Sequence, residues 1–156
     1  MPESSAKAIY TTPQQAEAAF YEAIERADLD AMMAVWAEDE EIICIHPGGP
    51  RLAGYAAVRD SWRQIFASGP RMRFTLANQV QSQGMLLSVH SLHETITLVG
   101  ETRRTAPVVA TNVYIRGALG WRMLVHHASP GPAGSEAAIE TPKTVSGRPR
   151  RSNSRS

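Results

Sequence analysis

The chain has 156 residues, a formal charge of +1 and 43% hydrophobic residues, which suits one domain around a single core. Near-neutrality argues against nucleic acid or a membrane surface as partner of the whole chain, and no run approaches the ~18 apolar residues of a membrane-spanning helix. The opening MPESSAKAIY lacks a leader's apolar stretch, and the lone cysteine, Cys44, cannot form an intrachain disulfide. A reducing, cytoplasmic setting is the expectation.

Residues 1–11 show no periodicity and are expected to be a flexible N-terminus. Thr12-Pro13-Gln14-Gln15 then combines an N-cap threonine, a first-turn proline and a capping-box glutamine. Ala16, Ala19, Phe20, Ala23, Ile24 and Ala27 follow at helical spacing. Asp28 is suited to cap a second, short helix with Leu29, Met32, Met33 and Trp36 as its apolar positions. Residues 41–46 form a β-branched strand that delivers His46 into a Pro47-Gly48-Gly49 turn. After Gly54 a third helix presents Val58, Trp62, Ile65 and Phe66 on one side.

Beyond Gly69-Pro70 the period changes to two, with Met72, Phe74 and Leu76 alternating with Arg71, Arg73 and Thr75. Turns at Gln83-Gly84, Gly100-Glu101 and 117–120 separate strands over about 85–99, 105–116 and 121–129. Successive hairpins make the sheet largely antiparallel, and helices before strands indicate an α+β fold. In the strand over 105–116, Val108, Ala110, Asn112 and Tyr114 share one face, and Val109, Thr111, Val113 and Ile115 the other. Neither face is written for water. One is expected to meet the helices and the other a second copy of the sheet, giving a homodimer.

From Pro130 the composition shifts to Pro, Gly and Ser without an aromatic residue. Lys143, Arg148, Arg150, Arg151 and Arg155 outweigh Glu136 and Glu140, for a net +3. Such a segment buries too little apolar surface to offset its ordering entropy, so 130–156 is expected to be a disordered tail. This tail is the one place where contact with nucleic acid is conceivable.

The elements so ordered resemble the nuclear-transport-factor-2-like superfamily, and within it the SnoaL-like branch. The resemblance rests on ADLDAMMAVWAED between the first two helices, HPGGPRLAGYAAVRDSW entering the third, and GWRMLVHHAS as the last strand. It spans residues 13–129, within an expected SnoaL-like domain of 12–129. It implies three helices packed on a strongly curved, mostly antiparallel sheet that forms a cone. The wide end would be lined by apolar and aromatic side chains, for which Phe20, Trp36, Trp62, Phe66, Met72, Phe74, Tyr114 and Trp121 are the candidates. The superfamily includes steroid isomerases, polyketide cyclases, dehydratases and the association domain of calcium/calmodulin-dependent kinase II, so fold alone does not decide function.

Laid against the ketosteroid isomerases, the constellation is broken. Their helix-one tyrosine falls on Phe20, upstream of Asp28-Leu29-Asp30. Tyr21 is adjacent but points about 100° away around the helix. Their base, an aspartate before a proline, falls on His46, and their protonated aspartic acid falls on Asn112. A neutral histidine can serve as base near neutral pH, and an amide can donate to a developing enolate. His46 has a plainer reading as well, capping its turn by hydrogen bonding to backbone.

His127 shares parity with Trp121, Met123 and Val125 and is expected to join the pocket, with His126 facing away. No P-loop, Rossmann, CxxC or HExxH motif is present, and no serine or cysteine has an evident partner. A metal would require His46 and His127 to converge with Glu94. No metal and no cofactor are expected. Two functions follow: a cofactor-independent acid–base enzyme (isomerase, cyclase or dehydratase) on a small apolar or amphipathic molecule, or a non-catalytic oligomerisation module.

Overall fold

A computed structural model describes residues 8–101 and 107–132. Thr12 accepts a hydrogen bond from the Gln15 N–H, and Pro13, which has no N–H to lose, opens helix α1, Pro13–Arg26. The Gln15 side chain returns to the N–H of Thr11 rather than to Thr12, one residue outside the capping box. α1 buries Glu17 and Tyr21 as well as Ala16, Phe20 and Ile24, because a helix on a sheet presents a stripe at least 100° wide. Asp28 caps α2, Leu29–Val35, through the Ala31 N–H. Trp36 ends that helix in extended conformation and bridges to Met123.

Strands β1, Ile43–Ile45, and β2, Arg51–Ala53, form a short hairpin before helix α3, Tyr55–Ser68. β2 was not expected, since three residues after Pro50 are too few to show alternation. Four longer strands follow: β3, Met72–Gln83; β4, Leu87–Leu98; β5, Val108–Gly117; and β6, Gly120–Pro130. The sheet order is β2-β1-β6-β5-β4-β3, open at both edges. Every neighbouring pair is antiparallel except β1 and β6, which run parallel. The fold is therefore α+β with a mixed sheet, and the exception matters. It carries the His46 end of β1 to the Ala128 end of β6.

Two irregularities shape the sheet. In β3 the register slips between Ala77 and Val80, where Asn78 takes a left-handed conformation. In β6, Val125 pairs with Val113 but Met123 with Tyr114, so Leu124 is an extra, bulged residue. Side chains beyond the bulge change face. Val108, Ala110, Asn112 and Tyr114 are buried toward the helices, while Val109, Val113 and Ile115 lie half-buried on the outer face and Thr111 is exposed there.

Residues 8–10, within the segment expected to be flexible, are tied to β6. Tyr10 bridges Gly120, its carbonyl accepts from the Trp121 N–H at 2.8 Å, and Ala8 O accepts from Arg122. Residues 1–7, the expected strand start at Thr105, and the tail from 133 onward lie outside the described residues. At the near end of the tail, the Gly131 N–H still donates to Pro107 O.

Gly120 has φ +88°, and a Cβ there would run into the Tyr10 carbonyl. Gly120→Ala is accordingly expected to cost about 2–4 kcal/mol in urea unfolding, from left-handed strain plus the clash. Gly117, with open space around it, provides the control. Gly117→Ala should stay within about 0.5 kcal/mol of the parent.

Candidate functional site

Between the helices and the concave side of the sheet lies a cavity of about 220 Å³. Ile24 of α1, Trp62 and Ile65 of α3, Met72 and Phe74 of β3, Ile96 of β4 and Ala128 of β6 make its apolar walls. Three polar side chains enter it, His46, Glu94 and His126. This is the usual make-up of a small-molecule site, at the small end of the range. A wider depression between Arg26 and Arg71 is open and lined by charges of both signs, including Asp28 and Asp30. Its lining is mostly polar, and the apolar cavity is the candidate site.

His46 arrives there because Cys44 and His46 share the inner face of β1, and β1 is seated in register on β6 with Cys44 opposite His126. The Pro-Gly-Gly turn is closed by the His46 carbonyl, which accepts from the Gly49 N–H at 2.8 Å. The ring is thereby free of the turn. Its Nε2 hydrogen bonds with the Ser61 hydroxyl of α3, and the Trp62 indole packs edge-on at 4.8 Å. Burial pulls the His46 pKa below its ordinary value, so the imidazole is neutral at pH 7. Burial also pushes the neighbouring Cys44 thiol up to about 12, which leaves it protonated and inert.

Glu94 and His126 belong to a buried polar network that ties the sheet to α1. The Tyr21 hydroxyl donates to Glu94 Oε2 at 2.6 Å, and the Asn112 amide donates to Tyr21 Oη at 3.0 Å and to Glu17 Oε2 at 3.4 Å. That Glu17 oxygen also accepts from His90 Nδ1 at 2.8 Å and from Tyr114 Oη at 2.9 Å. Ser88 Oγ lies 2.9 Å from the other nitrogen of His90. On the far side, Asn112 Oδ1 faces His126 Nδ1 at 2.6 Å. A carbonyl oxygen cannot donate, so Nδ1 carries the hydrogen and Nε2 keeps its lone pair.

The electrostatics set the protonation states. Burial raises the Glu94 pKa to about 7; the Tyr21 hydrogen bond opposes that rise and the Glu17 charge adds to it. Burial lowers the His126 pKa to about 3, with His46 and His127 contributing in the same direction. The Tyr21 and Tyr114 phenols are pushed well up, first by burial and then by the adjoining carboxylates. Near neutral pH the pocket holds two neutral imidazoles and a carboxyl group close to its midpoint. That combination can accept a proton at one atom and deliver one from another.

The expected site residues divide three ways. His46, Trp62, Met72 and Phe74 line the cavity, and Phe66 stacks on Trp62 at 5.6 Å. Phe20, Trp36 and Tyr114 have no exposed surface and Trp121 almost none. None of the four is among the lining residues, and they form the floor and core behind them. Asn112 lies one residue behind His126 rather than in the cavity. His127 corrects the parity expectation: the Leu124 bulge turns it out to solvent and brings His126, 3% exposed, inward. Glu17, Tyr21, Ser61 and His126 were not expected in the site, and Glu94 was weighed only as a metal ligand beside His46 and His127. Glu94 was findable, since it shares parity with Leu92 and Ile96 on one strand face. Among the described residues no group of three or more His, Cys, Asp or Glu side chains is placed to hold a metal ion.

Residues 14–133 match the family model of the SnoaL-like domain. The chain belongs to that family. A crystal structure of a candidate calcium/calmodulin-dependent protein kinase type II association domain from Thiobacillus denitrificans is similar at 42% identity, covering 80% of this chain and 99% of that one, with TM-score 0.76. A candidate dehydratase of the NTF2-like family from Streptomyces avermitilis is similar at 32% identity, covering 77% and 94%, with TM-score 0.70. An NTF2-like protein of unknown function from Pseudomonas putida, 18% identical over 84% and 93% with TM-score 0.68, shares the fold. No curated protein sequence matches. The SnoaL-like chain also contains no helix, among the described residues, long and apolar enough to cross a membrane.

Glu94 and His126 make opposite contributions to stability as pH changes. The folded state holds the Glu94 proton that the unfolded chain releases near 4.5, so its contribution is present below that pH and lost as pH rises through about 7. His126 refuses a proton that the unfolded chain takes up near 6.5, so its contribution is lost as pH falls toward 3. The stability of Glu94→Gln relative to the parent should therefore rise by about 3 kcal/mol between pH 4 and pH 8. Urea unfolding of both proteins across that range measures it, and a flat difference would contradict the assignment.

Proposed function

We propose that the pocket binds a small uncharged carbonyl compound and moves a proton on the carbon beside that carbonyl. The reading rests on one observation: the Glu94 carboxyl group and the His126 imidazole, its Nδ1 engaged by the Asn112 oxygen, share one apolar cavity. His126 Nε2 takes the α-proton as Glu94 gives up its own, so the imidazolium forms opposite a carboxylate in the same cavity, and the C–H electron pair enters the enolate. Glu94 supplies a proton either to the carbonyl oxygen, completing a tautomerisation, or to a departing β-hydroxyl, which leaves as water as the carbon–carbon double bond forms. His46, steered by Ser61 and Trp62, orients the polar end of the molecule. Asn112 acts through His126. No cation lines the cavity among the described residues, which favours an uncharged ligand. The similarity to a candidate dehydratase accords with this chemistry.

The test is solvent-deuterium incorporation, followed by NMR, at the α-carbon of acetophenone, 1-indanone and 2-tetralone. The protein is expected to accelerate exchange over buffer, and His126→Gln and Glu94→Gln to reduce the acceleration by about 10²-fold or more, the usual worth of a positioned acid or base. Ketones that bind without exchanging would leave a binding pocket and no catalyst.

A second role, assembly, is favoured by the outer face of the sheet. Leu87 and Val89 of β4, 48% and 41% exposed, adjoin Val113 and Ile115 of β5, with Val125 of β6 beside Val113. A contiguous aliphatic patch of this kind is uncommon on a monomer. A second copy packed on it would make the homodimer, and the similarity to an association domain points the same way. Light scattering is expected to give twice the chain mass for the parent, and the monomer mass or aggregate for Val113→Asp, whose charge would be desolvated without a partner.

A further inference from the structure

Glu17 lies outside the cavity, 4% exposed on α1, yet the hydrogen-bond directions of the whole network trace back to it. Its Oε2 receives His90 Nδ1 at 2.8 Å and Tyr114 Oη at 2.9 Å, which makes it an acceptor. The Asn112 amide end is 3.4 Å from that same oxygen. If the Asn112 side chain were flipped, its carbonyl oxygen would meet the Glu17 oxygen, lone pair against lone pair, while its NH2 would face His126. Tyr21 and Tyr114 offer weaker constraints, because a hydroxyl can accept from the amide NH2 or rotate to donate to the amide oxygen. Glu17 cannot adapt in this way. With the amide so oriented, Asn112 Oδ1 sits 2.6 Å from His126 Nδ1 and demands a hydrogen there.

We propose that Glu17 is the positioning residue that selects the tautomer of His126, and thereby makes Nε2 the nitrogen that serves the pocket. The proposal deepens the acid–base reading and rests on it for its functional meaning. The tautomer itself is measurable without any ligand. Loss of the Glu17 acceptor frees Asn112 to turn over. His126 Nδ1 would then accept from the amide, the hydrogen would move to Nε2, and the pocket would face a donor where it had a base. The ring would keep its place while its chemistry inverted. That outcome separates positioning from mere structural support.

The experiment is 15N NMR of the full chain with labelled histidine at pH 7.5, where protonated and bare ring nitrogens resonate far apart. The His126 signals are identified by their loss in His126→Gln. The parent should show one form, protonated at Nδ1 and bare at Nε2. Glu17→Leu, which removes the acceptor, should give comparable amounts of the two tautomers, and Glu17→Asp, which keeps the charge but withdraws the oxygen by one methylene, should do the same if the leucine variant does not fold. Ser88→Ala removes the partner of the other His90 nitrogen, keeps the Glu17 acceptor in place, and should leave the single Nδ1–H form. A parent protonated at Nε2 would overturn the proposal. So would a folded Glu17 variant that keeps the single Nδ1–H form, or a Ser88→Ala mixture equal to that of Glu17→Leu. A tautomer that behaves as expected in a protein that exchanges no ketone would uphold Glu17's role and remove the catalytic reading alone.

Discussion

A carboxylate taken out of water must be met by donors, and Glu17 is met by three on one oxygen, from His90 of β4 and from Asn112 and Tyr114 of β5. An unpaired charge in that position would cost several kcal/mol. The helix can approach the sheet there only in the geometry that brings the three donors to the acid. Once α1 is so placed, Tyr21 one turn further on reaches Glu94, and Phe20 lies at 4.8 Å from the His126 ring and 5.7 Å from Trp62. Hydrophobic packing holds the body together, but it is non-directional. The polar cluster supplies the direction that packing lacks.

The site inherits this division. Its walls are built from aliphatic and aromatic groups that any relative could exchange for others of similar volume. The atoms that would do chemistry are set by short hydrogen bonds whose donors and acceptors cannot trade places. Two imidazoles kept neutral by burial and one carboxyl group raised to about 7 by the same cause are a consequence of that apolar enclosure. A wetter pocket would let all three return toward their ordinary values and lose the contrast between them.

Much of the fold was legible in the residues. Thr12 and Asp28 cap their helices as their side chains suggest, and alternation in 108–115 separated the two faces of β5 as the structure has them. β2 escaped because three residues carry no period. The parallel seating of β1 on β6 escaped because pairing between distant segments leaves no local mark. In the site, His46 was placed at the pocket by the strand that ends on it. Tyr21 was set aside as pointing away from Phe20 and Glu17 was passed over because the helical stripe was drawn only through the apolar residues from Ala16 to Ala27, whereas a helix lying on a sheet buries a wider band. The exchange of His127 for His126 has a different origin. Period-two reasoning holds only while the ladder is regular, and Leu124 interrupts it.

That bulge bears on how relatives of this chain should be compared. Two adjacent histidines on β6 occupy opposite environments, one sealed beside Phe20 and Trp62, the other facing solvent. In a relative without the extra residue, the side chain that projects inward beside the pocket would stand one place earlier when counted from the start of the strand. An alignment that matches letters through this region without a gap would then equate an interior position with a surface one, and a histidine preserved for its chemistry would look freely variable. Superposition on the pocket wall, not on the numbering of the strand, is the frame in which the two positions can be told apart.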